Sequence, residues 1–353
     1  MTRAQALTVA GWDIGGVNVK LAALSVRGGC VAAVRAVVRP FEVWRDPEAL
    51  AQVLRGCAVE AGLDPGTPMG VTMTAELSDV FRSRREGVLF VLDALEDAFG
   101  GEPGLLLDTQ GRAVSFAQAR GRPLEVAATN WVASAALAAE RVADCLLVDV
   151  GSTTTDIIPV RGGRVAARGL TDADRLVSGE LVYTGVLRTN PNTFAPFVPL
   201  RGGWCRVAAE WFAQTADVYV TLGRLQPGQY TCPTPDGRGT SAAESRARLA
   251  RLVCEDAEVQ TEAETAAIAA YLARRQAAQV ADGVAQVLAA QGAARLPLLA
   301  VGVGAFLADD VARVVGLDLL EEAARGPLDP VAFPACAVAV VAGRAFGLVE
   351  RWT

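Results

Sequence analysis

Short apolar runs alternate with longer amphipathic segments along most of the chain. The runs at 69–74, 104–108 and 296–301 have the length and composition of buried strands. The predicted helices cover residues 47–62, 85–99, 127–141, 239–256, 260–291, 307–315 and 335–347. Strands that alternate with helices in this way predict an α/β protein.

Two stretches of the chain repeat one pattern of strands and turns. Residues 8–31 and 145–165 each contain an apolar strand, an Asp-x-Gly turn, a second strand, an Arg-Gly-Gly turn and a third strand. The glycine pairs supply the positive φ angles that a tight hairpin needs. Two copies of one unit predict two related domains. Residues 168–237, which follow the second copy, are predicted to be rich in loops.

Composition and charge narrow the class of protein. The chain has 353 residues, of which 52% are hydrophobic and 20% charged, so it can bury a sizeable core. A formal charge of −6 argues against nucleic acid and anionic membrane as partners, because both need a basic surface. We find no signal-peptide core, no run of membrane-spanning length and no CxxC pair. We therefore expect a cytoplasmic protein with small-molecule substrates, and the sequence leaves open whether it forms a homodimer.

The chain contains no histidine. This removes the usual general base near neutral pH and every catalytic triad that depends on histidine. Acid–base chemistry must then use Asp, Glu, Lys, Tyr or a metal-bound water.

The segment Asp13–Lys20 has the features of a phosphate-binding loop. An acidic residue ends a strand, and glycines let the backbone approach a ligand while its N–H groups bind an anion. The residues expected to bind phosphate here are Gly15, Gly16, Asn18 and Lys20. The alternative is a plain hairpin with a surface Asp and Lys.

The segment Asp149–Asp156 repeats this pattern with four consecutive hydroxyl residues. The residues expected to bind phosphate are Gly151, Ser152, Thr153, Thr154 and Thr155. Two carboxylates facing one site, Asp13 and Asp149, suit Mg²⁺, which prefers a few carboxylates, waters and phosphate oxygens. The alternative is an ordinary threonine-rich strand.

A third element combines a strand with a glycine turn and a helix. Gly302 and Gly304 follow the strand at 296–301 and precede the helix at 307–315. A helix N-terminus in this position is a common phosphate site.

The helix predicted at 239–256 carries three arginines, namely Arg246, Arg248 and Arg251. They would face either an anionic substrate or solvent.

The order of these elements resembles the five-part fingerprint of the actin, sugar-kinase and Hsp70 superfamily. Phosphate loop, small-residue helix, second phosphate loop, Gly-x-Gly turn and second small-residue helix follow one another across nearly the whole chain. The resemblance implies a two-domain actin-like ATPase fold of ribonuclease H-like domains with a central interdomain cleft. It places one domain at 1–142, the other at 143–334 with a loop-rich insertion near 168–237, and a helix that packs at the hinge within 335–353.

A closer resemblance is to the hydantoinase/oxoprolinase-related branch, and within it to proteins linked to tetrahydromethanopterin-dependent one-carbon metabolism. The segments that carry it are residues 151–160, 178–190, 216–223, 236–239 and 247–254. The resemblance implies a transferase of methanofuran or methylofuran biosynthesis. Such an enzyme joins an aminomethylfuran-methyl diphosphate to the phenol of γ-glutamyltyramine and releases pyrophosphate, with Mg²⁺ as cofactor.

Two assignments stay open on the sequence alone. The proton acceptor for the phenol is expected to be Asp156 or Glu180, each in a segment that carries the resemblance. The alternative functions are an ATP-dependent small-molecule kinase, another hydantoinase/oxoprolinase-type enzyme, or a non-catalytic nucleotide-switched protein. The short Gly302-x-Gly304 turn argues against an adenine pocket.

Overall fold

The computed structural model describes residues 7–100, 104–293, 295–321 and 328–352. The strands are β1 Leu7–Ile14, β2 Asn18–Arg27, β3 Cys30–Pro40, β4 Met69–Met73, β5 Gly104–Leu107, β6 Ala113–Ser115, β7 Cys145–Val150, β8 Thr155–Arg161, β9 Arg164–Val165, β10 Leu181–Val182, β11 Phe197–Leu200, β12 Gly203–Arg206 and β13 Leu298–Val301. The helices are α1 Leu50–Ala61, α2 Arg84–Phe99, α3 Phe116–Gly121, α4 Asn130–Arg141, α5 Asp172–Ser178, α6 Thr215–Thr221, α7 Ala242–Arg251, α8 Glu262–Ala290, α9 Ala305–Val315 and α10 Phe333–Ala345.

The chain forms two compact units. Unit 1 consists of Met1–Asp144, Ile158–Asp174 and Glu321–Thr353, and unit 2 of Cys145–Ile157 and Arg175–Leu320. The α/β class is confirmed, because strands and helices alternate through both units. The domain boundaries given by the sequence stay a prediction.

Unit 1 is built on a six-stranded mixed sheet with the order β3-β2-β1-β4-β5-β6. Strands β1, β4 and β5 are parallel, while β2, β3 and β6 are antiparallel to their neighbours. The hydrophobic core around the sheet includes Trp12, Leu21, Leu54 and Leu92, all fully buried. The parallel strands β1 and β4 end side by side, so the residues that follow them share one edge of the sheet.

Helix α10 packs closely on the sheet of unit 1, because the strands have glycines at the positions that face the helix backbone. A Cβ on Gly11 would lie 2.0 Å from the carbonyl oxygen of Ala335, and a Cβ on Gly70 2.4 Å from that of Val338. Helix α10 also contacts α4, the other helix rich in small residues. The hinge position expected for residues 335–353 stays a prediction.

Unit 2 contains most of a second sheet, which has the order β10-β8-β7-β13 with β9 paired to β8, and in which β7 and β13 are parallel. Its core includes Leu146, Val148, Ile268, Leu272 and Val284, with side chains from the strands and from the long helix α8. The stretch 168–237 has more regular structure than the sequence predicted, because α5, α6 and β10–β12 lie within it.

The internal repeat predicted from the sequence is present in the structure. Both Arg-Gly-Gly turns have positive φ angles, 56° and 76° at Gly28 and Gly29 and 56° and 69° at Gly162 and Gly163. Each turn closes an antiparallel hairpin, between β2 and β3 and between β8 and β9. Among the described ranges, no helix is both long and apolar enough to cross a membrane.

Candidate functional site

Asp13 lies at the carboxyl end of β1, opposite Lys20 on β2. Its side chain is almost fully buried, and the Nζ atom of Lys20 donates to its Oδ2 atom at 3.0 Å. The other oxygen, Oδ1, is buried and accepts no hydrogen bond from any residue in the described ranges. A buried carboxylate oxygen without a donor is a favourable ligand for a cation.

The turn after Asp13 directs backbone N–H groups away from the rest of the hairpin. Gly16 O accepts from Val43 N at 3.1 Å, and Val17 O accepts from Phe41 N at 3.0 Å. Peptide groups are planar and trans, so each N–H group points opposite to the carbonyl of the same peptide. The N–H groups of Val17 and Asn18 therefore point away from residues 41–43, which is the arrangement of an anion-binding loop.

The loop after Asp149 has the corresponding arrangement in unit 2. Gly151 O accepts from the backbone of Val186–Arg188 at 3.1 Å, and Ser152 O accepts from the same segment at 3.0 and 3.1 Å. By the same planarity, the N–H groups of Ser152 and Thr153 point away from this segment. Neither group has an acceptor among the residues the structure describes.

The two loops share one turn geometry. Gly15 N donates to Asn18 O at 2.9 Å, and Gly151 N donates to Thr154 O at 2.8 Å. A Cβ would lie 3.0 Å from that oxygen at Gly15 and 3.1 Å at Gly151, closer than most real Cβ contacts. The same residue spacing thus produces the same turn in both units.

The hydroxyl residues of the second loop fall into two groups. The hydroxyl groups of Ser152, Thr153 and Thr154 form no hydrogen bond to any described side chain or backbone group, whereas Thr155 is fully buried in β8 and donates to Thr184 O at 2.7 Å. The first three hydroxyls can therefore donate to a ligand. The phosphate contact expected of Thr155 stays a prediction, and in this structure its hydroxyl fixes the strand to the following segment.

Gly302 packs directly on Asp149, which is 7% exposed at the end of β7. Gly302 has a φ of 90°, and a Cβ there would lie 2.5 Å from Asp149 Oδ1 and 2.3 Å from Val150 O. Only glycine fits this position without a shift of the loop. Gly304 N donates to Val150 O at 2.8 Å, so its amide supports the turn before α9, and its phosphate contact stays a prediction.

The two carboxylates expected to accept a proton are both buried in unit 2. Asp156 forms an ion pair with Arg175, which is 2% exposed. Glu180 is 1% exposed, and its Oε2 atom accepts from Ser178 Oγ at 2.9 Å. Asp156 is thus held by a cation, while the bond shown for Glu180 comes from a neutral hydroxyl.

Sequence reasoning did not single out Glu76, which lies in a segment beside the first loop. This segment, Thr74–Ser78, follows β4, and Thr74 N donates to Ile14 O at 2.9 Å. Ser78 Oγ would lie 3.2 Å from a Cβ on Gly16. The signal available in the sequence was an acidic residue two positions after the strand at 69–74.

Glu76 has an unusual environment for a carboxylate. It is 1% exposed, its Oε1 atom accepts from Arg84 Nη2 at 3.0 Å, and its Oε2 atom is buried without a partner in the described ranges. Arg84 Nη2 also lies 3.2 Å from Asp172 Oδ2. Burial raises the pKa of Glu76 to about 7, although the charge of Arg84 opposes the shift. Glu76 can therefore exchange a proton near neutral pH.

Comparison with known proteins places the chain in a family. The family model described as hydantoinase/oxoprolinase matches residues 69–342, which is most of the chain. The chain belongs to the hydantoinase/oxoprolinase family.

Two named relatives are similar to this hydantoinase/oxoprolinase family member. The chain is 35% identical over 254 residues to the (4-{4-[2-(gamma-L-glutamylamino)ethyl]phenoxymethyl}furan-2-yl)methanamine synthase of Methanocaldococcus jannaschii, covering 72% of this chain and 73% of that protein. It is 39% identical over 113 residues to the synthase of the same name from Methanococcus vannielii, covering 32% of this chain and 50% of that protein. These relatives are named as enzymes.

A solved structure supports the fold of this family member. Nucleotide-free acetone carboxylase matches with a TM-score of 0.50 and 14% identity, over 85% of this chain and 46% of that chain. At this identity the match concerns the fold alone. It agrees with the actin-like fold expected from the sequence.

The helix α7 of this family member carries a buried arginine. Arg248 is fully buried, and its guanidinium donates to Asp217 Oδ1 at 2.8 Å and to Asp236 Oδ1 and Gly239 O at 3.0 Å. Burial raises the pKa of Asp217, whereas the positive charge of Arg248 lowers it. Arg248 is fully buried against protein partners, so the solvent-exposed position expected as one alternative is wrong for this residue. The residue fixes the segment at 236–239 to α6 and α7.

Proposed function

We propose that the protein is a transferase of methanofuran or methylofuran biosynthesis. It joins an aminomethylfuran-methyl diphosphate to the phenol of tyramine or γ-glutamyltyramine and releases pyrophosphate. The names of the two similar synthases support this substrate pair. The structural observation that carries the proposal is the loop at Ser152–Thr154, which presents two N–H groups and three hydroxyls that have no protein partner among the described residues.

The main requirement of the proposed reaction is stabilisation of the diphosphate leaving group. The bond between the furanylmethyl carbon and the diphosphate oxygen breaks, and its electron pair leaves with pyrophosphate. The furan ring spreads the positive charge that develops on the carbon. Donors aimed at the departing diphosphate lower the barrier, because its negative charge grows during the step. The N–H and hydroxyl groups of Ser152–Thr154 would supply such donors, and Lys20 is kept as a further candidate donor.

One feature of Asp13 supports Mg²⁺ as the proposed cofactor. Asp13 Oδ1 is the buried oxygen without a donor among the described residues, which suits a cation ligand. Asp13 and Asp149 are each kept as candidate Mg²⁺ ligands. When bound, the ion would neutralise part of the charge of the diphosphate.

Carbon–oxygen bond formation requires that the phenol lose its proton. The phenol oxygen forms the new bond to the furanylmethyl carbon, and a carboxylate takes the proton and returns it to solvent. The proposal keeps Asp156 and Glu180 as candidate acceptors and adds Glu76, whose pKa of about 7 suits proton transfer near neutral pH. Because the chain has no histidine, the rate cannot depend on an imidazole.

Phosphorus NMR tests the reaction directly. The purified protein is incubated with Mg²⁺, a furanylmethyl diphosphate and tyramine, and free pyrophosphate and the aryl ether are followed together. The control acceptor is phenethylamine, which lacks the hydroxyl group. Ether with tyramine and none with phenethylamine supports the proposal. Coupled product in equal amount with both acceptors would mean attack by nitrogen and would refute ether formation.

A further inference from the structure

The segment at 184–189 sets the position of the second phosphate loop by direct contact. A Cβ on Gly185 would lie 2.4 Å from both Ser152 C and Thr153 N, so the backbone of Gly185 touches this peptide group. The carbonyl oxygens of Gly151 and Ser152 accept from the backbone of Val186–Arg188, as described above. Any displacement of Gly185 therefore moves the N–H groups of the loop.

Gly185 is itself fixed by three side chains. Its carbonyl oxygen accepts from Gln276 Nε2 at 2.8 Å and from Thr215 Oγ1 at 2.7 Å. Its N–H group donates to Thr189 Oγ1 at 2.8 Å. Two of these bonds come from helices, α6 and α8, which are rigid parts of the core of unit 2.

Gln276 has a defined orientation because every polar atom of its amide is bonded. It is 1% exposed, its Nε2 atom also donates to Thr184 Oγ1 at 2.9 Å, and its Oε1 atom accepts from Tyr219 OH at 2.7 Å. Burial raises the pKa of Tyr219, so the phenol stays protonated and remains a donor. Thr184 O in turn accepts from Thr155 Oγ1. Hydrogen bonds together with the backbone of residues 184–188 thus connect α8 with both ends of the loop.

We propose that Gln276 is a positioning residue for the diphosphate site, acting through the Thr184–Gly185 turn on the N–H groups of Ser152 and Thr153. This inference rests on the proposed function for the identity of the ligand. The physical reason is that a buried acceptor such as Gly185 O is costly to leave without its donor, so the turn shifts when the amide is removed. A small displacement of preorganised donors weakens the stabilisation of the leaving group.

Three variants test the proposal. Gln276→Leu removes both donors and the acceptor, and Gln276→Glu places an acceptor against Gly185 O. Tyr219→Phe removes one bond of Gln276 and is the mild variant if the others do not fold. The matched control is Gln286→Leu, because Gln286 is an exposed glutamine of the same helix that donates to Val177 O at 2.7 Å.

The first measurement is binding of inorganic pyrophosphate with Mg²⁺ by calorimetry, with kcat and KM for each substrate. We expect the Kd for pyrophosphate to rise about tenfold in Gln276→Leu and Gln276→Glu and less in Tyr219→Phe. In these variants the KM of the phenol acceptor should stay unchanged. The control variant Gln286→Leu should keep the Kd for pyrophosphate and the kinetic constants of the unmodified protein. If the variants lose thermal stability but their folded fraction binds pyrophosphate with the Kd of the unmodified protein, Gln276 has a structural role only and the proposal is refuted.

The second measurement separates this proposal from the proposed function. Hydrogen exchange of the peptide covering 184–190 reports the amides that donate to Gly151 O and Ser152 O. Faster exchange in Gln276→Leu than in Gln286→Leu supports positioning of the loop by Gln276. This holds even if the unmodified protein binds no pyrophosphate, because missing pyrophosphate binding would refute only the diphosphate assignment. Equal exchange in both variants would refute positioning of the loop by Gln276.

Discussion

At the scale of single residues, the proposed Mg²⁺ site depends on the carboxylate of Asp13. Replacing Asp13 by Asn keeps an acceptor for Lys20 but removes the negative charge beside the oxygen that has no donor among the described residues. We expect Asp13→Asn to abolish Mg²⁺-dependent binding of pyrophosphate, measured by calorimetry, with a folded chain by circular dichroism. The control is Asp64→Asn, an exposed position. Undiminished binding in Asp13→Asn would contradict the assignment of Asp13 to the Mg²⁺ site.

The raised pKa of Glu76 predicts how stability depends on pH. In the unfolded chain this carboxyl titrates near 4.5, whereas in the fold burial raises its pKa to about 7. The folded state therefore binds the proton more tightly, and its stability falls as pH rises through this window. Complete ionisation costs about 3 kcal/mol at the usual free energy per pKa unit.

The variant Glu76→Gln removes this titration. Relative to the unmodified protein, the free energy of unfolding of this variant should rise by about 2.5 kcal/mol from pH 5 to pH 8, measured by urea unfolding. The exposed Glu258→Gln should show no such change. A pH-independent difference between Glu76→Gln and the unmodified protein would show that Glu76 is ionised across the whole range.

At the scale of elements, the buried pair of Arg248 and Asp217 holds α7 to α6. Arg248→Leu leaves Asp217 buried without its cation, so we expect a loss of about 3–5 kcal/mol in the free energy of unfolding. Arg246→Leu on the same helix breaks the more exposed pair with Glu262, at 2.8 Å, and should cost less than about 1 kcal/mol. Urea unfolding of both variants measures the contrast. Equal losses would mean that the pair with Asp217 contributes no more than a surface ion pair.

The elements themselves were largely predictable, because each depends on local pattern. Alternating runs gave the strands and helices, and the repeated Asp-x-Gly spacing gave two loops with the same turn. The hydrogen bonds from distant residues that hold the loops in place were not predictable. Gln276 donates to Thr184 across 92 residues of sequence, and only the packing of α8 brings them together. Glu76 was missed for a similar reason, because burial, which sets its pKa, arises from tertiary packing.

At the scale of the whole molecule, an actin-like fold does not determine which phosphate compound is used. In the proposed reaction the diphosphate ester carries its own leaving group, so no step requires ATP. In the Gly302-x-Gly304 turn, the N–H group of Gly304 is not available to a phosphate, because it donates to Val150 O. We therefore expect that ATP is neither required for coupling nor hydrolysed at a useful rate.

Steady-state production of ADP, measured with and without tyramine, checks this expectation. Coupling of the furanylmethyl diphosphate to tyramine should proceed at the same rate when ATP is omitted, because the energy for the step comes from departure of pyrophosphate. A matched reaction without Mg²⁺ should slow, since the proposed ion then no longer neutralises part of the diphosphate charge. Sustained ADP formation stimulated by a phenol acceptor would instead favour an ATP-dependent kinase.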